Sequence, residues 1–105
     1  MNKILSVKPR YPHEVAKEIA SRVKQRRLEL GLTQRALARR ADLALSTYRL
    51  FEQKGNISLK SLLNIAFALN TLDDFDNIFD KRQYTSIDEL ISGPQKTRKR
   101  GKENE

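Results

Sequence analysis

The chain has 105 residues, with 21 Lys/Arg against 13 Asp/Glu and one His, giving a formal charge of +8 and a pI near 10.1. At this length one small domain plus tails is expected, burying about 60 to 65% of its unfolded surface, which leaves room for one core and no spare cavity. The absence of cysteine excludes disulfides, thiolate metal sites and a thiol nucleophile, and the single histidine excludes a His cluster for metal binding or acid–base work.

From Met1 to Tyr11 the residues are of mixed polarity, and Pro9 and Pro12 close the stretch, so it reads as an extended arm, with Ile4, Leu5 and Val7 as a short strand at most. The apolar run Ile4 to Val7 is too short for the core of a signal peptide or for a membrane span, and a cytoplasmic protein away from membranes is expected. A first helix is predicted from about His13 to Leu30, with Val15, Ile19, Val23, Arg27 and Leu30 along one face, and Gly31 ends it. Thr33 is a suitable N-cap for a second helix, which Gln34 opens.

In the following stretch Leu37 and Ala41 point inward, Ala38 is small enough for two helices to approach, and Asp42 stands at a sharp turn where a left-handed residue is needed. A third helix is predicted from about Leu45 to Gln53, with Tyr48 and Phe51 inward, and Lys54-Gly55-Asn56 stops it. Ser58 caps a fourth helix so apolar, through Leu59, Leu62, Leu63, Ile65, Ala66 and Leu69, that central burial is expected. A fifth, about Leu72 to Phe79, sets Leu72, Phe75, Ile78 and Phe79 against Asp73, Asp74, Asp76 and Asp80. These aspartates lack the glycine and ligand spacing of a calcium loop and read as a solvated face. Thr85 or Ser86 with Glu89 resembles a capping box before Ile87, Leu90 and Ile91, leaving a sixth helix or a strand open. Beyond Gly93-Pro94, QKTRKRGKENE has no apolar residue with which to fold.

Thr33 to Glu52 therefore fits two short helices joined by a tight turn, and it resembles the helix-turn-helix of the Xre/Cro family of bacterial and phage repressors. SRVKQRRLELGLTQ before it and ISLKSLLNIAFALN after it are similar to the first and fourth helices of that family, so the likeness runs from about Val15 to Phe79. The resemblance implies an all-α, five-helix, lambda-repressor-like DNA-binding domain over residues 12–80. The arm occupies 1–11, a C-terminal extension that could serve a dimer or a partner occupies 81–92, and a disordered basic tail occupies 93–105. It also implies that Arg27 and Glu52, which interrupt inward faces, form a partly buried ion pair tying the first helix to the third. Charge agrees with a nucleic-acid partner: residues 1 to 55 hold thirteen Lys/Arg against five Asp/Glu, whereas residues 56 to 92 hold three against six.

On the third helix Leu45, Ser46, Arg49, Leu50 and Gln53 lie opposite Tyr48 and Phe51, facing a major groove. Arg49 can donate two bonds to O6 and N7 of guanine, or else pair with a phosphate or a surface carboxylate. Ser46 can bond a base or a phosphate. Leu45 and Leu50 are apolar where the family usually has polar residues, so they either touch thymine methyls or pack into the domain or a dimer. Ala44 likewise departs from the hydroxyl that often caps this helix. Gln34 matches the glutamine that, by the resemblance, touches a phosphate or supports the reading helix. Thr33, Arg35, Arg39, Thr47, Gln53, Asn56, Ser58 and Lys60 complete the expected phosphate contacts, which dominate affinity and make it salt-dependent.

No cofactor, metal or catalytic set is expected, and an enzyme is not. The expected function is a sequence-specific repressor that binds an inverted repeat on double-stranded DNA as a homodimer. A small domain of this kind reads too few bases alone, and Phe75, Ile78 and Phe79 or the segment from Tyr84 to Ile91 are candidates for the dimer contact. Short proteins of this type with an added C-terminal segment, here from Lys81 onward, also resemble HipB- or HigA-like antitoxins, which makes a cognate toxin a further candidate partner.

Overall fold

A computed structural model describes residues 10–81. The expectations for the N-terminal arm before Arg10, for a helix or strand around Ile87, and for the basic tail lie outside the described residues. Four α-helices follow in order: α1 (Pro12–Glu29), α2 (Gln34–Arg40), α3 (Leu45–Lys54) and α4 (Leu59–Ala68), then a single 3₁₀ turn, Leu72–Phe75. All described regular structure is helical, as expected for the fold class.

Each helix starts and stops for a local reason. Pro12 sits in the first turn of α1, where its missing N–H is no loss, and Glu14 Oε1 accepts from the Tyr11 N–H at 3.1 Å. Thr33 Oγ1 accepts from the Ala36 N–H and Ser58 Oγ from the Ser61 N–H, capping α2 and α4. Three helices end in the same manner. After α1, α2 and α4 the chain turns through a left-handed residue, Gly31 (φ 70°), Asp42 (φ 57°) and Asn70 (φ 61°). In each case the next N–H reaches back to the last turn: Leu32 to the Arg27 carbonyl, Leu43 to Ala38 and Thr71 to Ala66.

The core forms where α1 lies against α3, and α2 against α3 and α4. Leu37, Tyr48, Phe51 and Ile65 are its fully buried large side chains, and Tyr48 and Phe51 meet edge to face with ring centres 6.1 Å apart. Ala20, which apolar spacing alone does not single out, is the buried apolar residue of α1, with Ile19 and Val23 partly buried and packed against the same core. Leu30 is 54% exposed rather than inward, because α1 stops at Glu29 and the turn through Gly31 carries the chain off that face.

Two further expectations are corrected. α4 is not buried all round: Ile65 and Ala66 face the core, but Leu59 and Phe67 are 66% and 73% exposed. Ten apolar-rich residues exceed what one packed face of a small domain can cover. The fifth helix is also shorter than expected. Regular structure ends at Phe75, 76–79 is turn, and Phe79 is left-handed with φ 60°. Asp73, Asp74 and Asp76 are weak helix formers whose side chains compete for the backbone, so one 3₁₀ turn forms and does not propagate.

Candidate nucleic-acid interface

α3 presents its candidates unevenly. Ser46, Thr47, Arg49, Leu50 and Gln53 are exposed, while Tyr48 and Phe51 are buried on the opposite side. Of the two alternatives for Leu45, thymine contact or packing into the domain, the geometry favours packing: Leu45 is half-buried and packs against the core from the first turn of α3. Its side chain is thus held by the subunit, with only its outer part available. Leu50 remains on the open face.

Beside Leu45, the end of α2 and the start of α3 border an open depression of about 430 Å³, whose lining includes Arg35, Arg39 and Asp42. Two of the expected phosphate contacts therefore stand next to the N-terminus of α3. Asn56 and Lys60 are exposed at the end of α3 and the start of α4. Thr33 and Ser58 use their oxygens as caps, which leaves each hydroxyl proton free to donate to a phosphate. Among the described residues, none of Arg35, Arg39, Arg49 and Lys60 lies within salt-bridge distance of a carboxylate. The alternative in which Arg49 is occupied by a surface acid thus has no support in the geometry.

Behind the exposed face lies an ion pair. Arg27 Nε donates to Glu52 Oε2 at 2.7 Å and Nη2 to Oε1 at 3.2 Å, with the two side chains only 8% and 4% exposed. Arg27 Nη1 also donates to the Leu32 carbonyl at 2.8 Å, so the guanidinium ties α1 to both the α2 entry and α3. Tyr48, one helical turn before Glu52, donates its hydroxyl to Oε2, and Gln34 donates to Oε1 at 3.0 Å. Burial alone would raise the Glu52 carboxyl, but bonds from Arg27, Tyr48 and Gln34, with the Arg27 charge, hold it below the usual carboxylate range. The Glu52 bond in turn raises Arg27, and burial, then the neighbouring carboxylate, pushes the Tyr48 phenol well above its usual range.

The Tyr48 hydroxyl is a member of this network that sequence reasoning missed. Apolar periodicity makes Tyr48 a core aromatic, and the signal that points to its hydroxyl is the spacing of four from Glu52. Arg49 Nε also donates to Gln34 Oε1 at 3.3 Å, a contact across 15 residues that periodicity does not reveal.

Residues 23–75, just over half of the chain, match a protein-family model described as helix-turn-helix. The chain belongs to the helix-turn-helix family of the Xre and lambda-repressor type. As a member it is a DNA-binding transcription regulator, with double-stranded DNA as its partner. A search of curated proteins found no match. Among the described residues no helix is long and apolar enough to cross a membrane, and no group of three or more His, Cys, Asp or Glu could hold a metal ion.

Proposed function

We propose that this helix-turn-helix protein is a repressor that binds an inverted repeat as a homodimer, laying α3 of each copy in a major groove. Ser46, Arg49, Leu50 and the outer part of Leu45 read bases. Thr33, Gln34, Arg35, Arg39, Thr47, Gln53, Asn56, Ser58 and Lys60 meet phosphates. The observation that carries this reading is the outer side of α3, where an arginine unengaged by any described carboxylate stands among short polar side chains. Two copies are needed because one short helix contacts too few base pairs to select a site.

Selection of duplexes from a random pool, followed by footprinting, tests the proposal. An inverted repeat with half-sites about 34 Å apart, protected by a complex of two chains, is expected. Enrichment of a single half-site by one chain would remove the dimer, and no enrichment would remove sequence-specific reading.

A second reading, that the protein also neutralises a toxin, has one observation in its favour. Leu59 and Phe67 leave apolar surface on α4, an element that bears no base-reading candidate, as a protein contact beside the DNA contact would require. Co-purification from the native host at endogenous levels separates the cases. A stoichiometric second protein supports neutralisation, and a pure homodimer supports a stand-alone regulator.

A further inference from the structure

α2 carries two exposed arginines one helical turn apart, Arg35 and Arg39, and among the described residues neither has a carboxylate within salt-bridge distance. Like charges at this spacing repel each other along a helix face, so an anion held between them relieves a repulsion that α2 does not relieve by itself. The same two residues border the open depression of about 430 Å³ between α2 and the start of α3. The rest of its lining is mostly apolar: Ala38 is buried, and Leu43 and Leu45 are half-buried against the core.

This depression has the make-up of a small-molecule site, with a volume inside the usual range of roughly 300–1,000 Å³ and a few polar groups beside apolar ones. A backbone phosphate would use the arginines alone, whereas an organic acid also covers apolar surface of Leu43 and Leu45. Asp42 belongs to the lining too, so two arginines against one aspartate leave one net positive charge. That balance suits a single carboxylate better than the double charge of a phosphate monoester. We propose that the depression binds a small organic monocarboxylate, with its charge on Arg35 and Arg39 and its apolar body against Leu43 and Leu45, and that the bound acid displaces DNA. The displacement rests on the reading of Arg35 and Arg39 as phosphate contacts and adds to it a means of release, since acid and phosphate need the same guanidiniums. The repressor is then induced by its ligand through direct competition, with no change of fold.

Phenylacetate is the probe, with acetate supplying the charge without the body and phenylacetamide the body without the charge. In NMR titrations of the full chain without DNA, phenylacetate should shift the amides of Ala38, Leu43 and Leu45. Its Kd is expected on the order of a few millimolar, the affinity that about ten non-hydrogen atoms supply at ordinary efficiency. Acetate and phenylacetamide should each bind about tenfold more weakly, and Arg39→Gln, an exposed change, should weaken phenylacetate by a similar factor. Equal affinity for acetate and phenylacetate, shifts that spread as far over the arginines of α1, or an unchanged Kd in Arg39→Gln would mean general anion association and overturn the site. Displacement is measured separately, at constant ionic strength, on the operator obtained by selection. Phenylacetate at ten times its Kd should raise the operator Kd at least about tenfold, and acetate at the same concentration should leave it almost unchanged. Binding at the depression with no rise in the operator Kd would overturn the competition. If the parent selects no operator, the DNA reading has failed and the displacement falls with it, while the titration without DNA still decides the site.

Discussion

Glu52 receives four hydrogen bonds from three side chains in a setting closed to water, so the effect of removing each partner depends on what is left behind. Glu52→Ala strands the Arg27 guanidinium and is expected to cost about 3–5 kcal/mol in a urea melt. Tyr48→Phe removes one donor to a carboxylate that keeps the others, and should cost about 1.5–3 kcal/mol. The reverse order would mean that the ring hydroxyl, not the ion pair, anchors α3. The same group gives the fold an acid limit. Because the carboxyl is lower in the folded chain than in the unfolded one, its contribution is complete above the ordinary carboxylate range and is lost as pH falls through and below it. Urea midpoints measured from pH 7 to 3 should therefore fall more steeply for the parent than for Glu52→Gln. Parallel curves would show that Glu52 does not carry this dependence.

Helix ends decide how the four helices meet, and two glycines show how differently the same residue type can matter. Gly31 and Gly55 both have positive φ, but a Cβ on Gly31 would meet open space, whereas one on Gly55 would lie 2.8 Å from the Ala16 carbonyl carbon. Gly31→Ala is expected to cost about 1–2 kcal/mol from backbone strain alone. Gly55→Ala adds displacement of α1 from α3 and should reach about 2–5 kcal/mol. Equal melts for the two would mean that α1 yields freely at Ala16. At this scale the sequence was largely legible. Apolar spacing, Thr33, Ser58, Gly31 and Gly55 are local signals, and they place the starts of α1 to α4, and the ends of α1 and α3, to within a residue. What failed depended on partners that spacing does not reveal. How much of an apolar helix finds cover decided the exposure of Leu59 and Phe67, and whether a first turn propagates decided the end at Phe75. At the candidate interface, the outward face of α3 follows from periodicity. The half-burial of Leu45 and the ties among Tyr48, Glu52, Gln34 and Arg49 follow from tertiary packing, which periodicity does not encode.

Charge is divided along the chain, with thirteen Lys/Arg against five Asp/Glu in residues 1 to 55 and three against six in residues 56 to 92. Such a distribution can attract DNA in two ways, by the summed field of the molecule or by individual cations seated on phosphates, and salt dependence separates them. Each seated cation releases about one counterion, so Lys60→Ala should weaken operator and random DNA alike and lower the slope of log K against log salt by about 0.9. The control raises the net charge by two without touching a proposed contact: Asp73→Asn with Asp74→Asn, both exposed on the 3₁₀ turn after α4. If phosphates are neutralised locally, this double variant keeps the parental slope, even though it changes total charge more than Lys60→Ala does. If its slope steepens by as much as Lys60→Ala flattens it, attraction is a property of the whole molecule's field, and Lys60 loses its place among the phosphate contacts.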